Sequence, residues 1–479
     1  MRSPKLVLFV LALAACGDPL GGESLGEPDV GLGSPGTSGG GIDPGGAQDI
    51  AAAREIINNG GVPAGNLITV EGLLSEHDVP TIGAPCQSLI CLRPATGVAP
   101  SLETGKLSRW VHIGMTTAID PATFTRPPVD LVIAIDKSSS MSIDIAQTTE
   151  AVKRLVGHMR PDDRVAVLAF DESVHVIHEL GAVSDVAALQ SQVKAINANG
   201  SWDINMALNA AYGRLAAPTE GRIRHVIVLS CGYPQISPTA DDAASMLIRD
   251  RGTAGIGITF VGVLLGWDPN LAALLGKTNG ANYYYLGDLP HVEQVFDQDA
   301  DLIIAPIAYD LALSLSVPMD WKLARMYGIP GDSMGNPATG YSIATAFLSH
   351  RRGSLVARLD WQGSAAAPAT MGTLDLTYRP EPALGWAAAE SQSADATTGA
   401  PDGDGTYFAG PGVRKATMLV NMAVQMITAC NKYASDAPGA RALITELRDY
   451  LVAQQAHLGA ADMDAEIALV NKLLANMGG

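Results

Sequence analysis

The sequence of 479 residues has few basic residues: 31 lysines and arginines face 49 acidic residues, which gives a net charge of -18 at pH 7. This balance argues against nucleic acid as a partner, because phosphate binding requires a basic face. Beyond the N-terminus, the sequence lacks an apolar run long enough to span a bilayer. It also lacks a Gly-x-Ser-x-Gly elbow, a phosphate-binding loop and a zinc-ligand helix motif, so common signatures of hydrolases, nucleotide-binding proteins and metalloproteases are missing.

The N-terminus has the pattern of an export signal. Arg2 and Lys5 precede an apolar run at residues 6–13, which is too short to span a bilayer well. The sequence Leu13-Ala14-Ala15-Cys16 resembles a bacterial lipobox, which implies a signal peptide over residues 1–16 and lipidation of Cys16. Gly17 resembles the residue that directs lipoproteins to the outer membrane. We therefore expect a lipid-anchored protein of the bacterial cell envelope that contacts the membrane only through this anchor; the alternatives are an ordinary signal peptide and a membrane anchor.

Cysteines are scarce, and four remain once Cys16 is set aside. Cys86 and Cys91 lie in a segment rich in proline and glycine, and in an exported protein this spacing favours a local disulfide. A zinc site would need two further ligands, and only His77 is near. Cys231 and Cys430 are expected to be free and buried, as small apolar side chains.

Composition and hydrophobic periodicity divide the rest of the chain into segments. We predict a flexible tether at 17–47, an N-terminal region at 48–126, an α/β domain at 127–300, a β-rich region at 303–382, a linker at 387–407 and C-terminal helices at 408–479. Helices are predicted at 51–58, 66–75, 413–432, 440–456 and 463–474.

The α/β domain begins with the buried-strand pattern Leu131-Val132-Ile133-Ala134-Ile135, followed by Asp136-Lys137-Ser138-Ser139-Ser140. Further strands alternate with helices, which predicts a doubly wound, mostly parallel sheet. The Asp-x-Ser-x-Ser loop resembles the metal-ion-dependent adhesion site of von Willebrand factor A domains. The resemblance implies a Rossmann-like A domain in which Asp136, Ser138 and Ser140 face a divalent cation. A simpler interpretation is a serine-rich cap for the next helix.

Two other loops depart from the pattern that this resemblance implies. Trp202 stands where the family has a threonine hydroxyl, and Cys231 stands where it has a second carboxylate. Indole offers no oxygen, and a thiol suits softer metals than magnesium or calcium. We therefore expect a degenerate metal site without a cofactor, the alternative being a weakly bound Mg²⁺ or Ca²⁺.

A wider resemblance covers residues 50–430 and concerns the order of motifs. The segments 53–63, 70–74, 110–114, 126–132 and 408–409 are similar to those of bacterial secreted von Willebrand A proteins labelled as calcium-activated chloride channel-like. Without a second spanning segment, however, the chain cannot line a pore.

Three functions follow from these observations. The first is an adhesion or scaffold lipoprotein that binds an unknown envelope or extracellular protein. The second is the same module with a cation at Asp136. The third is a thiol-based or hydrolytic enzyme centred on Cys231, which we do not expect, because a nucleophilic cysteine needs a base within reach and His225 lies roughly 20 Å away along one strand.

Overall fold

The computed structural model describes residues 40–478 except 46–49, 232–235, 237–241, 264–270, 272–273, 287–291, 293, 331–334, 336–338 and 388–389. The strands in chain order are β1 Gly40–Pro44, β2 Cys91–Ser101, β3 Lys106–Thr117, β4 Val129–Asp136, β5 Arg164–Phe170, β6 Val174–Gly181, β7 Ile223–Ser230, β8 Ile256–Val263, β9 Ala281–Leu286, β10 Pro306–Ser316, β11 Trp321–Tyr327, β12 Gly340–Ser349, β13 Ser354–Trp361, β14 Thr370–Pro380, β15 Glu390–Thr397 and β16 Tyr407–Phe408. The helices are α1 Ala51–Asn58, α2 Val70–Glu76, α3 Ile145–Gly157, α4 Val186–Lys194, α5 Ile204–Arg214, α6 Ala243–Thr253, α7 Pro411–Tyr433, α8 Ala437–Leu458 and α9 Ala461–Asn476.

Strands β4 to β9 form a six-stranded sheet in the order β6-β5-β4-β7-β8-β9, in which only β6 runs antiparallel to its neighbour. Every residue of β4 is buried. Leu131, Ile133 and Ile135 pack with α3 and α4, whereas Val132 and Ala134 pack with α5 and α6. Alternate side chains of a strand point to opposite faces, so a continuous apolar run needs helices on both sides. The prediction of a doubly wound α/β domain is confirmed.

A second sheet of ten strands is antiparallel throughout and has the order β11-β13-β3-β1-β12-β10-β14-β15, with β2 on β3 and β16 on β2. Strands β1 to β3 precede the α/β domain, and β10 to β16 follow it. The predicted β-rich region therefore shares its sheet with the predicted N-terminal region, and the α/β domain is an insertion between β3 and β10.

Two segments predicted to lack structure contribute strands to this sheet. In the predicted tether, β1 lies between β3 and β12, and Ile42 is fully buried there. Gly41 permits this approach, because a Cβ atom at that position would lie 1.6 Å from the carbonyl oxygen of Arg351. In the predicted linker, β15 pairs with β14 along its whole length. It is an edge strand whose alternate residues include buried Ala396, and an edge tolerates the polar composition that suggested a linker.

The C-terminal helices form as predicted, and α7 is their centre. Most of its residues are buried, and it packs against α8, against α2 and against β2 and β3. Helix α1 occurs at the predicted residues, whereas the second predicted helix is shortened to α2 behind a single 3-10 turn. Among the described residues, we find no helix with the length and apolar character to cross a membrane.

Ion pairs of the buried Arg126 side chain join the two ends of the inserted domain. Arg126, at its entry, donates two hydrogen bonds of 2.8 Å to Asp163, and both side chains are fully buried. Its Nε donates to Asp301 at the exit of the domain, over 2.7 Å. The pKa of Arg126 is raised by these carboxylates against the opposing effect of burial, so one arginine fixes where the chain enters and leaves.

Candidate functional site

The candidate site lies at the carboxyl end of β4, where Asp136 is fully buried. Its Oδ1 accepts a hydrogen bond from the Ser138 N–H at 2.8 Å, and its Oδ2 accepts one from the Ser230 hydroxyl at 2.7 Å. Burial raises the pKa of the Asp136 carboxyl, and these hydrogen bonds act in the opposite direction. The carboxylate is therefore held by protein donors.

Ser138, Ser140 and Cys231 form a chain of contacts beside this carboxylate. The two serine hydroxyls lie 2.8 Å apart, and the Ser140 hydroxyl lies 3.0 Å from the Cys231 sulfur. That sulfur is 4.0 Å from Asp136 Oδ2, and Cys231 is buried as a free thiol. The hydroxyls that would face a cation are thus engaged with each other and with sulfur.

Trp202 completes the group that we call the altered site, defined as Asp136, Ser138, Ser140, Trp202 and Cys231. The indole ring packs against the apolar side chains beneath α5. Its N–H is buried and has no hydrogen-bond partner among the described residues, although the indole acts to lower the pKa of the Asp136 carboxyl that burial raises. Trp202 therefore offers the carboxylate a donor where a cation ligand would be needed.

The neighbours of Trp202 do not compensate for it. The Ser201 N–H and hydroxyl donate to Glu172 Oε2 at 2.7 and 3.3 Å, and Asp203 caps α5 by accepting from the Met206 N–H at 3.0 Å. Gly200 has a φ of 81°, and a Cβ there would lie 2.5 Å from the same Glu172 oxygen. This geometry fixes the loop and keeps Ser201 and Asp203 on other partners.

Lys137 is a component of the site that sequence reasoning missed. Its ammonium group bonds both Asp171, at the end of β5, and Asn199, in the loop before α5. Burial would raise the pKa of Asp171, but hydrogen bonds from Lys137, Ser173 and His175 hold it well below its usual range. A protein cation thus ties three loops together, and its position between Asp136 and Ser138 was the only signal in the sequence.

This arrangement does not suit a hard divalent cation. Magnesium and calcium require several oxygen ligands, whereas the altered site supplies one buried carboxylate, two mutually bonded hydroxyls, a thiol and an N–H donor. The donor set is that of a closed hydrogen-bonded network.

Three histidines of the inserted domain could in principle act as a base for Cys231, and each of them has another partner. The His225 Nε2 lies 2.8 Å from the Thr259 hydroxyl, and burial lowers the pKa of His225 to about 3. His175 contacts Asp171, and the His178 Nδ1 contacts the Val165 carbonyl at 3.0 Å. Within the described part of the chain, none of these three hydrogen-bonds to Cys231.

The remaining predicted site residues lie apart from the altered site. A disulfide joins Cys86 and Cys91 just before and at the start of β2. Cys430 is a buried free thiol in α7, and burial raises its pKa to about 12. Cys16 lies outside the described residues.

Comparisons with known proteins agree on the inserted domain. A family model for the von Willebrand factor type A domain matches residues 130–298. The uncharacterised protein sll0103 of Synechocystis is 29% identical over 108 residues, covering 22% of this chain and 26% of that protein. The uncharacterised protein YfbK of Escherichia coli is 20% identical over 282 residues, covering 57% of this chain and 48% of that protein. The chain therefore spans about a quarter and about half of these relatives.

Among solved structures, a von Willebrand factor type A protein from Catenulispora acidiphila has a TM-score of 0.50 and 18% identity, covering 81% of this chain and 89% of that one. The ArnB paralog VWA2 from Sulfolobus acidocaldarius has a TM-score of 0.40 and 15% identity, covering 81% and 97%. At 18% identity, the first similarity concerns the fold alone.

Proposed function

Because residues 130–298 form a von Willebrand factor type A domain, we propose that this protein is a non-enzymatic binding module of the bacterial cell envelope that holds its partner without a cation. Such a domain is a protein-interaction or metal-dependent ligand-binding module. The observation that carries the proposal is the closed network around Asp136, in which Trp202 and Cys231 occupy two ligand positions.

The physical reason is the competition between a cation and the protein's own donors. To bind Asp136, a cation would have to displace the hydroxyl of Ser230, separate Ser138 from Ser140 and approach a buried thiol. A buried carboxylate whose hydrogen bonds are satisfied gains little from exchanging them for an ion that lacks further oxygen ligands.

Calorimetric titration of the purified chain with magnesium, calcium and zinc tests this point. We expect weak binding or none, and we expect the Asp136→Ala variant to behave as the wild type does toward each metal. Tight magnesium binding that disappears in Asp136→Ala would instead establish the metal-dependent module, which the surviving Asp136, Ser138 and Ser140 represent.

The binding surface that we propose lies beside the altered site. Ile143, in the loop after Ser140, is 84% exposed, and Met206 on α5 is 38% exposed. Ligands of open α/β sheets bind at the carboxyl ends of the strands, so we propose these two exposed apolar side chains as contacts for the partner. The partner in this proposal is an envelope or extracellular protein.

Capture of the partner from envelope extracts, with a chelator present throughout, tests the surface. We expect capture by the wild type in the chelator and its loss in Ile143→Asp. Val452→Asp is the matched control, since Val452 is 51% exposed on α8, outside the A domain. Capture that requires added magnesium, or that survives Ile143→Asp, would contradict the proposal.

The proposed location rests on Cys16. Several acyl chains on one cysteine anchor a protein stably, whereas one chain binds only marginally. Cys16→Ser should block processing or release the protein into the soluble envelope fraction. A processed Cys16→Ser protein that still sediments with membranes would show that the anchor lies elsewhere.

A further inference from the structure

A buried group of charged side chains connects the first two helices to the C-terminal helices. We call it the ion cluster and define it by six residues: Arg54 of α1, Glu76 of α2, His77 directly after α2, Lys415 of α7, and Asp462 and Glu466 of α9. The side chains of His77, Glu466 and Lys415 are each exposed by 5% or less. The members are separated by up to 412 residues in the sequence, so the cluster joins a segment that precedes the inserted domain to one that follows it.

The ion cluster has the ligand types of a metal site, but its charges are already balanced. One ligand atom from each of Glu76, His77 and Glu466 lies within 4.8 Å of the others. The Arg54 Nη2 lies 2.5 Å from Glu76 Oε2 and 2.6 Å from Glu466 Oε1, so a guanidinium group bridges the two carboxylates. Three carboxylates thus face Arg54, Lys415 and His77. A metal ion would take both carboxylates from Arg54, whose guanidinium is largely removed from water, and this exchange is unfavourable.

His77 completes this balance only when it is protonated. Its Nδ1 lies 2.8 Å from Asp462 Oδ2, and its Nε2 lies 3.0 Å from Glu466 Oε1. A neutral imidazole carries one N–H, so one of these contacts would then join two acceptors. Burial would lower the pKa of His77, but the two carboxylates raise it above its ordinary value, with Lys415 opposing them.

Helix α1 reaches from the ion cluster to the edge of the A domain where the altered site lies. Arg54 belongs to the cluster, whereas the adjacent Glu55 accepts a hydrogen bond of 3.1 Å from the Tyr285 hydroxyl, near the carboxyl end of β9. The Glu55 charge also contributes to raising the pKa of Asp144, in the loop after the altered site, where burial is the larger cause. A displacement of α1 would therefore change the hydrogen bond to Tyr285 and the charge near Asp144 at that edge.

We propose that the ion cluster is a pH-sensitive clasp: protonated His77 holds the end of α2 against Asp462 and Glu466 of α9. Loss of its proton loosens this junction and, through the shared Glu466, the Arg54 ion pair of α1 and the contact of α1 with Tyr285. The groups that face His77 come from every element packed there: Asp462 and Glu466 from α9, Lys415 from α7, Glu76 from α2 and Arg54 from α1. Lys415 also donates to the Asp78 carbonyl at 2.9 Å, and Asp78 is paired with Arg352. Among these groups, His77 is the one whose charge changes near neutral pH.

The direction of the effect follows from the two states of His77. A histidine with a raised pKa in the folded protein contributes stability at pH values below its unfolded value of about 6.5, and that stability is lost as pH rises through the folded value. The clasp is therefore closed in mildly acidic conditions and opens toward alkaline pH. Loss of one charge-assisted hydrogen bond raises the equilibrium constant for local opening of the helices about tenfold or more.

Hydrogen–deuterium exchange of the full chain between pH 5.5 and 9, corrected for intrinsic rates, tests the clasp. Residues 51–58 and 461–476 should exchange about tenfold faster above the titration of His77, whereas residues 145–157 should keep their protection. His77→Gln should exchange rapidly in α1 and α9 at every pH. His178→Gln is the matched control, because His178 is a half-buried histidine of the A domain, and it should behave as the wild type does.

Three outcomes would overturn the clasp. In the first, the protection of α1 in the wild type does not depend on pH. In the second, His77→Gln keeps the pH dependence. In the third, α1 and α9 gain protection when 1 mM zinc replaces a chelator, which would make the cluster a metal site. If His77→Gln does not fold, an NMR titration of the His77 ring in the wild type tests the proposal instead. A measured pKa of His77 below that of a free imidazole would refute it. The test is independent of the partner and of Asp136.

Discussion

Replacing Trp202 by threonine and Cys231 by aspartate is expected to turn the altered site into a cation site. The threonine supplies a hydroxyl where the indole N–H now lies near Asp136, and the aspartate places a second carboxylate where the thiol lies 4.0 Å from Asp136 Oδ2. With Ser138 and Ser140, these groups give the oxygen ligands that magnesium and calcium require.

Without a cation, the double variant should be less stable than the wild type, for two reasons. Loss of a fully buried tryptophan costs about 3–5 kcal/mol, and Trp202 is only partly buried, so we expect about 2–3 kcal/mol. In addition, two carboxylates in one buried site repel each other and raise each other's pKa. With 10 mM magnesium and a Kd of about 0.1 mM, binding to the folded state alone returns about 2.7 kcal/mol. That corresponds to a rise in Tm of about 5–10 °C for a domain of this size.

Thermal unfolding in chelator and in 10 mM magnesium measures the effect. The wild type should unfold at the same temperature in both, and Asp136→Ala in the double-variant background should abolish the response. The reasoning is refuted if the wild type gains as much from magnesium as the double variant does. It is also refuted if the double variant folds but shows no response.

Three further predictions concern residues outside the altered site. Mass spectrometry of unreduced digests should find Cys86 bonded to Cys91, and two free thiols would contradict the assignment. Because the disulfide closes only a short loop, its removal should lower the free energy of unfolding by less than about 3 kcal/mol. Arg126→Ala should lower the free energy of unfolding in urea by about 2–3 kcal/mol, because the fully buried Asp163 loses the hydrogen bonds from Arg126 and keeps only backbone donors and the more distant Arg160, and a loss below 1 kcal/mol would argue against a tight junction. Burial lowers the pKa of His112 to about 4, so its contribution to stability declines as pH falls from about 6.5 toward 4. The urea midpoint of His112→Leu should therefore fall less than that of the wild type over this range, and equal falls in the two midpoints would disprove this.

The α/β domain could be predicted because its information is local. Five consecutive apolar residues before Asp136 specify a strand covered on both faces, and the helices between strands specify a parallel sheet. The prediction of a degenerate metal site also rests on local information, because the chemistry of the Trp202 and Cys231 side chains can be judged from their positions in the order of the loops.

Other features depend on partners that are distant in the chain. Nothing near Lys137 indicates that Asp171 and Asn199 converge on it, because those residues follow a different strand and precede a different helix. The contact between His77 and Glu466 joins residues 389 positions apart. The polar composition of β15 and the glycines of β1 suit mobile segments equally well, and only the tertiary pairing selects the strand.

The insertion of the A domain between β3 and β10 determines how the molecule carries mechanical load. Tension applied through the residues before Gly40 enters at β1, which is paired with β12 on one side and β3 on the other. The pull therefore reaches the interior of the ten-stranded sheet first, and the A domain lies on a side branch of the chain whose two ends are joined through Arg126 and Asp301. A load between the N-terminus and a partner bound near Ile143 would therefore pass through the pairing of β1 with its neighbours and through the junction at Arg126 before it reaches the strands that carry the altered site.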